Sequence, residues 1–445
     1  MKRPKYFAFI VLCLSFLFIG CTTTTVVRKD TAKPAPEITV PPQKTPTEIP
    51  DIQLPIVYRD TGIVYPLVPV DADPVSFIGD DLDSDSLVLA IGRSLQYYDR
   101  LKPGLQYRIG NTRYSVQDLK ESLLLFLNIY LNATSIEERD ARLRESFDVY
   151  RSVGNNGTGK IIFTGYYEPV LYGSLEKTDR YRYPIYRVPD DAVVVYLGKF
   201  LSKYRGERVI GRVENGELVP YPSRAEIDGE GCLAGKGLEI VWVDDPVELF
   251  YLHVQGSGKI ILSDGSEMQV NYAQTNGRAF RGASSCLLEN GKISSSQTSH
   301  QSVKRYLNEH PEELEMLYKN ESYIFFRAVD AGPLGALDVP LTGGRSLAAD
   351  PAVFPRGGLA FIKTRKPVLD ETGNLLSWES FSRFTLLQDT GGMIKGPGRI
   401  DLFCGSGKEA EHIAGSIKEK GTLYYLVKKQ SFPQQKSSKQ ISKTP

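Results

Sequence analysis

Histidine, tryptophan, methionine and cysteine are all scarce in this 445-residue chain, with 4, 2, 4 and 5 copies. The four histidines (His253, His300, His310 and His412) are scattered without metal-ligand spacing, which argues against a zinc centre. Charge of one sign is also missing. With 54 Lys and Arg against 53 Asp and Glu, no basic stripe for nucleic acid is present. The apolar run Tyr6 to Ile19 is short for a membrane span. It follows Lys2, Arg3 and Lys5 and ends at Gly20-Cys21, which is the pattern of a secretory signal over 1–20. Past Cys21 only Cys232, Cys286 and Cys404 remain. An odd, small number argues against a disulfide framework in an oxidising compartment, and which pair would close stays open.

Glycine (40), tyrosine (25) and phenylalanine (19) are plentiful, in a chain long enough for two domains. Residues 22 to about 50 are rich in Thr and Pro and read as an extended, semi-rigid tether. Helical patterning follows over Ser86 to Arg100 and Ser115 to Ser152, with a capped start at Ser135-Ile-Glu-Glu. From Lys160 onward short runs of Val, Ile, Tyr and Phe alternate with Gly, Asn and Asp turns. Lys160–Tyr167, Asp191–Tyr196, Leu238–Val243, Glu248–Val254, Lys259–Leu262 and Met268–Tyr272 read as strands of a barrel or sandwich. Ser302 to Lys319 reads as helix, Tyr323 to about Val427 as a second β block, and 431–445 as a polar tail.

The most informative segment runs from Gln388 to Gly405. Apolar residues lead into Asp389 and Asp401, and glycines, among them Gly391 and Gly392, follow the first acid. Two strand ends that deliver carboxylates to one cleft have this pattern. Asp350, ahead of Pro351, is as readily a turn residue as a functional one, because Asp side chains bond nearby backbone N–H groups. Asp389-Thr-Gly391 also reads as an aspartic-protease triplet. The only other Asp-small-Gly, Asp330-Ala-Gly332, is too close for a second lobe, which leaves a homodimer as the weaker reading. Thr164-Gly-Tyr166-Tyr167-Glu168-Pro169 suits the rim of a carbohydrate cleft, with Glu168 as a second acid in a two-carboxylate glycosidase. In Leu252 to Gly258, Gln255 and Ser257 sit where a turn would present them to a polymer. Lys395 and Arg399 flank the acid pair.

Taken in order, these motifs resemble the membrane-bound lytic murein transglycosylase A family. They include Gly165 to Pro169, Tyr221 to Glu226, Leu238 to Pro246, His253 to Gly258, Asn276 to Phe280, Gly332 to Ala336, Val339 to Thr342 and Asp389 to Gly407. The resemblance implies a mainly β fold: a double-psi β-barrel built from 76–175 with 320–430, and a smaller β domain inserted over 176–319. A glycan strand would lie in the groove between them. It implies Asp401 as the single catalytic acid, Asp389 as its supporting carboxylate and Asp350 as the third aspartate. Tyr166, Tyr167, Glu168, Gln255, Ser257, Lys395, Gly391 and Gly392 would form the substrate-binding surroundings. Cys404 stands where many members carry a large aromatic.

The implied reaction cleaves the β-1,4 bond between N-acetylmuramic acid and N-acetylglucosamine and leaves a 1,6-anhydromuramoyl end. It needs no metal or organic cofactor. Gly20-Cys21 also resembles a bacterial lipobox, which implies acylation of Cys21, a tether over 21–75 and the periplasmic face of the outer membrane. Peptidoglycan strands are the implied partner, with wall-remodelling proteins beside them. The rivals are a hydrolytic glycosidase on peptidoglycan and a non-catalytic glycan-binding lipoprotein.

Overall fold

In a computed structural model, residues 56–58, 62–70, 75–77 and 79–430 are described. The expected signal peptide 1–20, the acylated Cys21, the tether up to residue 55 and the tail 431–445 lie outside the described residues.

Six strands close into a ring. They are β1 (Ile161–Glu168), β2 (Ser346–Ala348), β3 (Leu359–Leu369), β4 (Leu375–Asp389), β5 (Arg399–Ser406) and β6 (Lys418–Lys428). The pairing runs β1–β5–β2–β4–β3–β6 and back to β1. β1 with β5 and β2 with β4 are parallel; the other contacts are antiparallel. Closure removes free edges. It also explains the long apolar runs of this half, because Phe163, Leu347, Phe384, Ile400 and Tyr425 are all buried. The architecture is the mainly β barrel that the sequence suggested.

Two helices clamp the barrel from outside. Ser84–Asp99 begins at the N-cap Asp83 and buries Leu87, Ala90, Ile91, Ser94 and Tyr98, one face at helical spacing. Val116–Asn132 begins with a capping box between Ser115 and Asp118 and sets Phe126 edge-on to Phe384 at 4.8 Å. Arg345, fully buried, ties the first helix to the barrel. It pairs with Asp80 at 2.6 Å and donates to the carbonyls of Asp83 and Phe384.

The inserted part is a six-stranded sheet in the order Ile324–Val329, Glu267–Thr275, Ser257–Leu262, Val170–Ser174, Glu239–Val243, Tyr183–Tyr186. A separate three-stranded sheet is made by Val193–Tyr196, Arg208–Glu214 and Glu217–Pro220. The insert is wider than the expected 176–319, because Val170–Ser174 already pairs with Ser257–Leu262 and Ile324–Val329 still pairs with Glu267–Thr275.

Three other expectations need correction. The helix expected through Ser152 stops at Ser146, and Phe147–Ser152 is a strand beside β6. The tether expected through residue 75 ends earlier, since Leu67–Val70 pairs with Phe147–Ser152 and buries Leu67. Glu248–Val254 is not a strand; it lies inside the helix Pro246–Gln255. That helix is packed on nearly every side, burying Val247, Leu249, Phe250, Tyr251, Leu252 and His253, so no 3.6-residue period shows. Cys232, Cys286 and Cys404 are free thiols.

Candidate active site

The short strand β2 sets the geometry. Ala348 pairs with Asp389 on one side and with Asp401 on the other. Residues opposite one another across neighbouring strands share a face, so both carboxyls emerge beside Ala348, about two strand spacings or 10 Å apart at Cα. The register with β4 slips between Leu347 and Ala348, where Gln388 is the extra residue. A bulge of this kind re-aims the side chain that follows it. Gln388 is held in place from three directions: Ser346 Oγ donates to its Oε1 at 2.7 Å, and its Nε2 donates to Ala90 O at 2.7 Å and Ser94 Oγ at 3.0 Å.

Asp389 is well supplied with donors. Tyr166 OH donates to Oδ2 at 2.8 Å, while the backbone N–H groups of Ala336 and Thr390 donate to Oδ1 at 2.9 and 2.8 Å. Burial pushes the carboxyl up to about 6, and these three donors and the Arg356 charge pull against it. The loop carrying Ala336 presses on β4, with Gly335 so close to Gln388 O that a Cβ would lie 2.6 Å away. Its other end is fixed by the insert, because Leu334 N–H donates to Asn271 Oδ1 at 2.8 Å.

Asp401 has the opposite surroundings. Its Oδ1 has no hydrogen-bond partner among the described residues, and neither do Arg399 Nε nor Thr164 Oγ1. Thr164 is the residue opposite Asp401 on β1. Arg399 Nε stands 3.9 Å from Asp401 Oδ1, a charge contact rather than a hydrogen bond. Burial again pushes the carboxyl up to about 6; Arg399 lowers it and Asp389 raises it. The side chain keeps 18 % of its surface open. A carboxyl whose proton affinity is raised toward neutrality, whose Oδ1 is buried without a partner among the described residues and whose side chain is still partly open is equipped to act as a general acid.

Family models match the chain over 162–327, as the MltA specific insert domain, and over 345–427, as the 3D domain. Membrane-bound lytic murein transglycosylase A of Escherichia coli K12 is 31 % identical over 283 residues, 63 % of this chain and 69 % of that relative. A crystal structure of a membrane-bound lytic murein transglycosylase from Agrobacterium tumefaciens is 30 % identical and superposes with a TM-score of 0.64, over 82 % of this chain and 98 % of that one. MltA from Neisseria gonorrhoeae is 27 % identical with a TM-score of 0.60, over 88 % and 99 %. The chain belongs to the MltA family.

Against this family background, several expected substrate-binding residues take structural positions. Tyr166 lies beside the acid pair, donating to Asp389 and packing on Phe403 at 5.3 Å. Tyr167 does not: it is buried, edge-on to His300. Glu168 is only 1 % exposed and accepts from Ser406 Oγ, so it has no surface to offer a glycan. Strand alternation turns Tyr167 away from Tyr166, whereas Glu168 is covered by Ser406, which the register shift between Phe403 and Ser406 places opposite it.

Gln255 accepts from Tyr167 N–H at 3.2 Å and thereby ties the insert helix to β1, while Ser257 is buried. Asp350 accepts from Ala352 N–H and Gly396 N–H at 3.0 and 2.7 Å, so the turn reading describes it and the carboxylate anchors the loop after β4. Lys395 and Gly392 are exposed on that loop, and a Cβ at Gly391 would meet Ile394. Burial pushes the Cys404 thiol up to about 12, away from the reactive thiolate form. Sequence reasoning gave no role to Thr164 or to the Ala336 N–H, because only strand register brings them to the acids.

Proposed function

We propose that this chain is a peptidoglycan lytic transglycosylase in which Asp401 acts alone as acid and then base. The observation that carries the reading is the contrast between two neighbouring carboxyls. Asp389 is bonded at both oxygens, whereas Asp401 has a bare oxygen and a proton affinity raised by burial. Protonated Asp401 donates to the glycosidic oxygen between N-acetylmuramic acid and N-acetylglucosamine. The C1–O bond breaks, and positive charge builds on the muramoyl ring, where a charged Asp389 and the substrate's own N-acetyl group stabilise it. The Asp401 carboxylate then takes the proton of the C6 hydroxyl, whose oxygen closes on C1. Acid and base are restored and no water is consumed.

A two-carboxylate hydrolase would need a second free acid. Glu168, the residue considered for that role, is buried and bonded to Ser406. Asp389 is held by three donors, which suits a fixed charge better than a nucleophile. The aspartic-protease reading loses its support for the same reason, since the neighbour of Asp389 is Asp401 of the same chain. Acylation at Cys21 and residence on the periplasmic face of the outer membrane complete the proposed picture. Mass spectrometry of products from purified sacculi tests it. Anhydromuropeptides, one water lighter than hydrolysis products, are expected; reducing muramic ends would overturn the mechanism.

A further inference from the structure

The three-stranded sheet of the insert has an unusual distribution of side chains. Its ladders pair Val193 with Gly211, Gly211 with Pro220, Val195 with Val209, and Val213 with Leu218. Cross-strand partners share a face and neighbours along a strand alternate. One face therefore carries only Val193, Val195, Val209, Val213, Leu218 and Pro220 around Gly211. The opposite face holds Ile210, which is buried and packs against Gly277, fixing the sheet to the insert. The apolar face points outward: Val213 is 60 % exposed, and Val193, Val209 and Leu218 are exposed as well. Contiguous apolar surface of this kind on a soluble domain marks a contact site.

The loop 197–207 joins the first two strands one pair beyond the Val195–Val209 row and adds exposed apolar side chains at that end of the sheet. Phe200 is 74 % exposed and Leu201 next to it is exposed too. Lys199 Nζ lies over the Tyr196 ring at 5.5 Å, and Lys203 Nζ over the Tyr204 ring at 4.8 Å. With Arg205, three cations face a single acid, Glu207, within the loop 197–207, while Arg208 lies on the opposite face of the sheet. None of the three takes part in an ion pair among the described residues.

We propose that this sheet face and its basic aromatic loop form a membrane-docking surface for an anionic phospholipid bilayer. Ammonium heads held over the Tyr196 and Tyr204 rings suit the headgroup level, and the exposed Phe200 and Leu201 suit the apolar layer beneath it, as interfacial anchors do. Unpaired cations at that depth are drawn to anionic headgroups. A second copy of the chain fits the surface less well, because a two-fold contact centred on the loop would bring two sets of Lys199, Lys203 and Arg205 together. A protein partner fits less well too, since lysine is depleted in protein interfaces. The surface would supply a second membrane contact, independent of acylation at Cys21.

The test uses the chain from residue 22 onward, which keeps every described residue and lacks Cys21. It is sedimented with vesicles containing phosphatidylglycerol and, separately, with pure phosphatidylcholine vesicles. Binding to the anionic vesicles is expected, and it weakens as salt screens the cations. Phe200→Ser with Leu201→Ser should lower the partition coefficient by at least about tenfold, as should Lys199→Glu with Lys203→Glu. Circular dichroism should remain unchanged, and so should muropeptide release from sacculi. Failure of the unsubstituted chain to bind anionic vesicles would overturn the proposal, as would binding that ignores both double variants. A dimer in sedimentation equilibrium that the Phe200/Leu201 variant dissolves would reassign the face to copy-to-copy contact.

Discussion

Asp389 and Asp401 sit opposite the same residue, Ala348, one on each neighbouring strand. Twelve positions of sequence, including a loop, are thus folded so that one alanine separates two carboxyls. The arrangement makes the environments of the two acids differ while keeping each within the other's field.

Replacing Asp401 separates chemistry from stability. Asp401→Asn should lower anhydromuropeptide release by at least about 10²-fold, the usual worth of a positioned proton donor. It should also stabilise the fold at pH 7. Burial lifts this carboxyl from 3.8 to about 6, so the native state holds the proton where the unfolded chain has released it. Stability tied to the group is therefore fully present below about pH 4 and is lost as pH rises through 6. The amide escapes that loss. Thermal unfolding should show a gain of roughly 1–3 kcal/mol at pH 7 that vanishes by pH 4.

The rate should have a bell-shaped pH profile centred near 6. Asp401 must carry a proton and Asp389 must not, and burial raises both to about 6. The two limbs belong to the pair rather than to either residue. A rate that kept climbing through pH 8 would contradict this assignment.

Tyr166→Phe removes the O–H donor to Asp389 Oδ2 and leaves the ring packed on Phe403. The Asp389 carboxylate loses a stabilising donor, so it should pick up a proton at higher pH. The acid limb of the profile should move upward by about one pH unit, with a rate loss near tenfold below the optimum. An unshifted limb would mean that the hydrogen bond does not govern Asp389.

Gly335→Ala tests the loop that feeds Asp389. A Cβ there would meet Gln388 O at 2.6 Å and Leu341 at 2.5 Å. The loop should be pushed from β4, carrying the Ala336 N–H with it. Activity should drop by about tenfold or more, with a stability loss of about 1–3 kcal/mol, read by product assay and thermal melt.

Glu168→Gln distinguishes one acid from two. Because Glu168 is buried on Ser406, the variant should retain product release within about threefold, less than the loss of any positioned acid. A loss comparable to that of Asp401→Asn would restore a two-carboxylate scheme.

The parts legible in the sequence were those with local signals. Ser115 and Ser135 marked helix starts because capping is read within four residues. Asp389 and Asp401 stood out because apolar strands end at glycine-rich turns. The helix Pro246–Gln255 was missed although Asp245 caps it, Pro246 opens it and Gly256 ends it in the left-handed conformation. Its all-round burial removed the periodicity on which the strand reading relied. The role of Tyr167 depended on the face of β1 it took and that of Glu168 on Ser406 covering it, and pairing partners more than 200 residues away decide both. Thr164 and Ala336 needed the same long-range register. Lys304, which bridges Glu248 and Glu411 across the insert and the barrel helix Gly407–Ser416, left no trace in local pattern.

The stretch Leu334 to Ala336 is anchored to Asn271 of the insert at one end and to Asp389 at the other. One of the three donors to Asp389 is therefore positioned by the insert as well as by the barrel: three residues of backbone make the charge of a barrel carboxylate depend on a side-chain amide that the other sheet holds in place.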